Sequence, residues 1–119
     1  MLERIDLPDE RIVGLRIDGR IDQENFDAVL ADMERRLQQY DTLRVYVELE
    51  ALGAMSLETL FKDLKFGLGH MSRFDKEAVV TDKQWLHRIG PVVNKLFPSV
   101  EVKVFATEEK GAALRWVRE

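Results

Sequence analysis

Apolar and polar residues alternate with a period of two in several short stretches of this chain. Between those stretches, apolar residues recur at three- and four-residue steps. The first rhythm places side chains on opposite faces of a strand, and the second places them on one face of a helix. Leu2 to Leu7 alternates weakly and reads as an edge strand; Pro8-Asp9-Glu10 is a turn. Arg11 to Asp18, with Ile12, Val13, Leu15 and Ile17, is a better strand, ended by Gly19-Arg20. The two strands are close enough in sequence to form a hairpin.

A helix is predicted from Asp22, a good N-cap residue, to Tyr40. Phe26, Val29, Leu30, Met33, Leu37 and Tyr40 form its apolar stripe. Arg44 to Leu49 then reads as a strand with Val45, Val47 and Leu49 inward. The second predicted helix runs from Ser56 to Met71 on Leu57, Leu60, Phe61, Leu64 and Leu68, with Gly67 and Gly69 weakening its last turns. Glu77 to Thr81 reads as a short buried strand. Thr81 to Gln84 fits a capping box that opens a third helix through Trp85, Leu86, Ile89, Val92, Val93, Leu96 and Phe97. Pro91 should kink that helix, and Pro98 should stop it. Val100 to Phe105 is a strand, and Thr107 is expected to cap a last helix whose inner face is Ala113, Trp116 and Val117.

The predicted order is ββαβαβαβα. Strands alternating with helices imply crossover connections, so the fold class is α/β: a mixed, mostly parallel sheet with an N-terminal hairpin, packed by four helices. A length of 119 residues suits one domain spanning 1–119.

Composition narrows the chemistry. The chain has no cysteine, which excludes disulfides, thiolate metal sites and cysteine nucleophiles. His70 and His87 stand alone and form no metal-ligand pair. A net charge of −4 argues against a nucleic-acid partner. The balance is uneven: residues 1 to 60 carry 14 acidic and 7 basic side chains, and residues 61 to 119 carry 8 and 11. The basic second half would suit an acidic partner or a phospholipid surface. With no signal peptide and no apolar run near the ~20 residues of a membrane helix, the expected location is the cytoplasm.

Familiar catalytic patterns fail. Gly67-Leu68-Gly69 closes a predicted helix instead of joining a strand to one, so it is not a dinucleotide loop. No lysine precedes serine or threonine, so there is no phosphate-binding P-loop. Ser56 lacks the glycines of a nucleophile elbow. Glu48 and Glu50 share one strand face, read here as the solvent side of the strand instead of an acid/base pair. No catalytic residue, cofactor or metal is expected.

In an open α/β sheet, ligands gather beyond the carboxyl ends of the parallel strands. The loop from Glu50 to Ser56 is small and flexible, including Gly53 and Met55. It brings Ser56 to a helix N-terminus, where free N–H groups favour an anion. The Thr81–Trp85 turn is expected at the same edge. At about 100° per residue, Phe66 points away from the apolar stripe of its helix, on the side that carries Lys62. Gly53, Met55, Ser56, Lys62, Phe66, Thr81 and Trp85 are therefore the candidate binding residues.

The order of motifs resembles the SpoIIAA-like family, small proteins of the STAS/CRAL-TRIO-like structural group. The resemblance is carried by GRID at Gly19 to Asp22, LETLFKDLKFGLGH at Leu57 to His70 and AVVTDKQWL at Ala78 to Leu86. It continues through EVKVF at Glu101 to Phe105 and AALRWV at Ala112 to Val117. It implies an α/β fold and a regulatory or binding role. Antagonists of the STAS group are switched by phosphorylation of a serine at the start of the helix after a central strand, which implies Ser56 as the matching position. This chain reads Gly53-Ala54-Met55-Ser56-Leu57 there, without the aspartate before the serine or the glycine after it. The CRAL-TRIO side of the resemblance implies a small apolar or lipid ligand. A protein partner, an apolar ligand, contact with a membrane surface and a homodimer through the second helix thus stand as four expectations about what the chain meets.

Overall fold

The computed structural model describes residues 1–51, 73–82 and 100–119. They form β1 (Leu2–Ile5), β2 (Ile12–Asp18), α1 (Gln23–Leu37), β3 (Leu43–Ala51), β4 (Phe74–Thr81) and β5 (Glu101–Ala106). A 3₁₀ turn (Thr107–Glu109) then leads into α2 (Lys110–Arg118). The five strands make one sheet in the order β1-β2-β3-β4-β5. β1 is antiparallel to β2, and the other pairs are parallel. The mixed, mostly parallel sheet with its hairpin is therefore as the sequence predicts. The second and third predicted helices lie outside the described residues.

Two apolar clusters lie on opposite faces of the sheet. One gathers Leu15 and Ile17 of β2, Val45, Val47 and Leu49 of β3 and Val79 of β4 beneath Val29, Met33 and Leu37 of α1. The other gathers Ile12, Tyr46, Ala78, Val80 and Phe105 beneath Ala113 and Val117 of α2. β3 therefore has no wet face: Val45 to Leu49 are all buried, which corrects the placing of Glu48 on a solvent side. Parallel strands covered on both faces lose simple alternation for this reason.

Local chemistry sets the ends of the elements. Asp22 is the N-cap of α1 by position and extended backbone, but its side chain makes no capping bond. At the other end, Arg73 donates from Nη2 to the carbonyls of Leu37 at 2.6 Å and Tyr40 at 2.9 Å, and from Nε to Asp41 at 3.0 Å. A cation here satisfies carbonyls the helix cannot pair itself. Gly19 follows β2 at φ +79°, a left-handed turn that favours glycine. Thr107 opens the 3₁₀ turn and is not its cap: Ala106 holds that position, and its N–H donates to Glu109 Oε1 at 2.9 Å. β4 starts at Phe74, three residues before the predicted Glu77, because Asp75 pairs with Arg44 at 3.3 Å and Lys76 lies over the Trp116 ring at 4.8 Å. Among the described residues no helix is long and apolar enough to cross a membrane.

Gly14 of β2 lies close against β1 in the hairpin. A Cβ there would lie 2.6 Å from the Ile5 carbonyl oxygen and 3.0 Å from the Ile5 Cβ. Backbone cannot swing aside as a side-chain tip can. Gly14→Ala should therefore push β1 off β2 and cost about 2 kcal/mol. Urea unfolding checks this, and a midpoint unchanged from the parent would contradict it.

Candidate functional site at the carboxyl ends of the parallel strands

Register places Ile17, Leu49, Thr81 and Ala106 abreast at the carboxyl ends of β2 to β5. One residue back stand Arg16, Glu48, Val80 and Phe105, turned toward α2. Directly opposite residues on neighbouring strands share a face, so Arg16 and Glu48 meet. Glu48 Oε1 accepts from Arg16 Nη2 at 3.1 Å and Nε at 3.3 Å. Lys110, the first residue of α2, brings Nζ to 3.3 Å from the same oxygen. Tyr46, two residues before Glu48 and on the same face, donates its hydroxyl to Oε2 at 2.8 Å.

Electrostatics lock this cluster. Burial, the largest influence on Glu48, favours its neutral form. The bonds from Tyr46, Arg16 and Lys110 together outweigh it and hold the carboxyl below its ordinary range. Tyr46 is driven far above the usual phenol value, first by burial and then by donating to Glu48. At neutral pH the pair is a carboxylate and a phenol, and both oxygens of the carboxylate are occupied. It braces β2, β3 and α2 together and has no proton to trade.

The other face of the same edge differs. Thr81 ends β4, and among the described residues its buried hydroxyl has no hydrogen-bond partner. Glu77 lies on the same face of β4, between Val45 of β3 and Val102 of β5. Among the described residues no donor reaches its carboxyl, and burial alone raises its pKa to about 7.

Of the seven candidate residues, Thr81 lies where the sequence places it, at the carboxyl edge, as the last residue of a strand. The other six, Gly53, Met55, Ser56, Lys62, Phe66 and Trp85, are outside the described residues. Sequence reasoning missed Tyr46, Arg16 and Lys110. Tyr46-x-Glu48 was the available signal: an aromatic and a carboxylate on one strand face, in a strand apolar on its other face. Nothing in the sequence links Arg16 or Lys110 to them.

The sequence profile of the SpoIIAA-like family matches residues 12–118, from the first residue of β2 to the last of α2. The chain belongs to the SpoIIAA-like family. Membership points to a regulatory or binding module of the STAS type. A search of curated proteins finds no match to it. The match of this SpoIIAA-like chain covers all four parallel strands.

Proposed function

We propose that this SpoIIAA-like chain is a non-enzymatic binding module. It acts through protein contact at the carboxyl edge of the sheet and along the second predicted helix. The observation that carries this reading is the saturation of Glu48 by three donors at the edge where an α/β enzyme would keep its reactive groups. A carboxylate so held serves to fix a surface. Family membership supports the same reading. Ser56, Phe66 and Trp85 are the residues proposed to meet the partner, with Ser56 as the position at which phosphorylation would act.

The test is a pair of variants, Phe66→Ala and Ser56→Asp, used as bait with the parent in the native lysate. A partner retained by the parent should be lost at least tenfold by Phe66→Ala, with an unchanged melting temperature. Equal retention by both variants would refute this choice of surface.

A second reading, a carrier of a small apolar ligand, has one observation in its favour. Thr81 and Glu77 put a hydroxyl and a raised-pKa carboxyl on the face of β4 that is otherwise apolar through Phe74 and Val79. An apolar ligand with a single hydrogen-bonding head would suit that face.

A further inference from the structure

Asp32 lies within the buried stripe of α1, only 5% exposed, and three arginines converge on it. Arg35 Nη2 donates to Oδ1 at 2.8 Å, Arg36 Nε stands 3.0 Å from Oδ2, and Arg4 of β1 brings Nη1 to 3.6 Å from Oδ1. One carboxylate thus faces three guanidiniums, so this four-residue cluster carries two positive charges in excess.

The three arginines are not equivalent. Arg36 is largely buried and spends Nη1 on the carbonyls of Glu10 and Ile12. Arg4 and Arg35 have side chains 55% and 59% exposed. At 3.6 Å Arg4 makes an ion pair but no hydrogen bond to Asp32, and among the described residues its guanidinium has no hydrogen-bond acceptor. Both guanidiniums stand against the same carboxylate oxygen, which holds two like charges within the span of a single oxyanion. They line a groove of about 570 Å³ between β1 and α1, which Asn25 and Ala28 also line. Of the other carboxylates on that groove, Glu3 belongs to the opposite face of β1, abreast of Arg16, and Asp6 is exposed beyond the end of the strand.

We infer that this groove is a binding site for a phosphate group, clamped between Arg4 and Arg35 and organised by Asp32. Two guanidinium forks match the geometry of a phosphate, and a phosphate monoester carries about −1.5 to −2 charges at neutral pH, equal to the excess on the cluster. The site is on β1 and α1, so it stands independently of the protein-contact surface proposed above.

The experiment follows the arginine Nε–H signals of the full chain by ¹H–¹⁵N NMR at fixed ionic strength. Inorganic phosphate and phenyl phosphate are titrated separately. Saturable shifts at Arg4 and Arg35 are expected, with Arg11, which is paired to Asp9, unmoved. Tighter binding of phenyl phosphate would assign the site to a phosphate ester, and equal or weaker binding to free phosphate. The double variant Arg4→Gln/Arg35→Gln should bind at least tenfold more weakly. The Arg4→Lys/Arg35→Lys pair, which keeps the charge and loses the fork, should bind at least threefold more weakly and serves if the glutamine pair does not fold. Non-saturable shifts of similar size at every arginine, or unchanged affinity in a folded variant pair, would overturn the inference.

Discussion

Glu77→Gln is expected to make the folded chain more stable by about 3 kcal/mol at pH 8 and by a little under ~1 kcal/mol at pH 5. The carboxyl of Glu77 is buried between valines and titrates near 7 in the folded chain, against an ordinary value of 4.5. Between those two values the folded chain keeps a proton that the unfolded chain has released. Stability therefore falls as pH rises through that window, and the loss, roughly 3 kcal/mol, is complete above about 7. Glutamine is nearly isosteric and cannot ionise, so the difference between variant and parent isolates this one group. Glu48 and Asp9, both held below their ordinary values, act in the opposite sense, and their contribution is lost only as pH falls below the carboxylate range. Urea unfolding from pH 5 to pH 8 makes the comparison. Parallel stability curves for variant and parent would mean that Glu77 meets solvent in the folded state.

Glu48→Ala should cost about 2–3 kcal/mol at pH 7. Arg16 and Lys110 are 43% and 42% exposed at their side chains, so water screens both ion pairs and each contributes a fraction of a kcal/mol. The larger part comes from Tyr46, which at 1% exposure finds no water for its hydroxyl once the acceptor is gone. Glu48→Gln keeps that acceptor and should cost about 1 kcal/mol. Tyr46→Phe removes the donor but leaves Glu48 its two cations, so it too should cost about 1 kcal/mol. Equal losses for the alanine and glutamine variants in urea unfolding would show that the ion pairs, and not the tyrosine, dominate.

The strand directions were legible because a hairpin and then alternating strands and helices dictate them, whereas the spatial order of the strands was not read from the sequence. A hairpin followed by strand, helix, strand leaves β2 to β5 parallel and β1 antiparallel, as found. Charge inside the core was not legible. Glu48 looks solvated when a strand is assumed to have one wet face, and α2 removes that face. Asp32 falls between Val29 and Met33 on the inner side of α1, so helical spacing alone places it there. Its residue type argued for solvent, and Arg4, which helps to hold it, comes from a different element. The early start of β4 was hidden for a related reason, since Asp75 and Lys76 break the apolar run and find partners only in the folded chain. Sequence pattern reports which face a residue takes, and it does not report a partner 32 or 73 residues away, as for Arg16 with Glu48 or Arg44 with Val117.

The most direct test of the binding-module account is native mass spectrometry of freshly purified chain, repeated after denaturation. The account predicts the mass of the bare sequence in both spectra, apart from a phosphate-bearing group held by Arg4 and Arg35, as a monomer or as a dimer that separates on denaturation, with partners found only when other proteins are present. A non-covalent adduct without a phosphate group, seen in the native spectrum and lost on denaturation, would contradict it, and would make the chain a carrier of an apolar ligand identified by its mass.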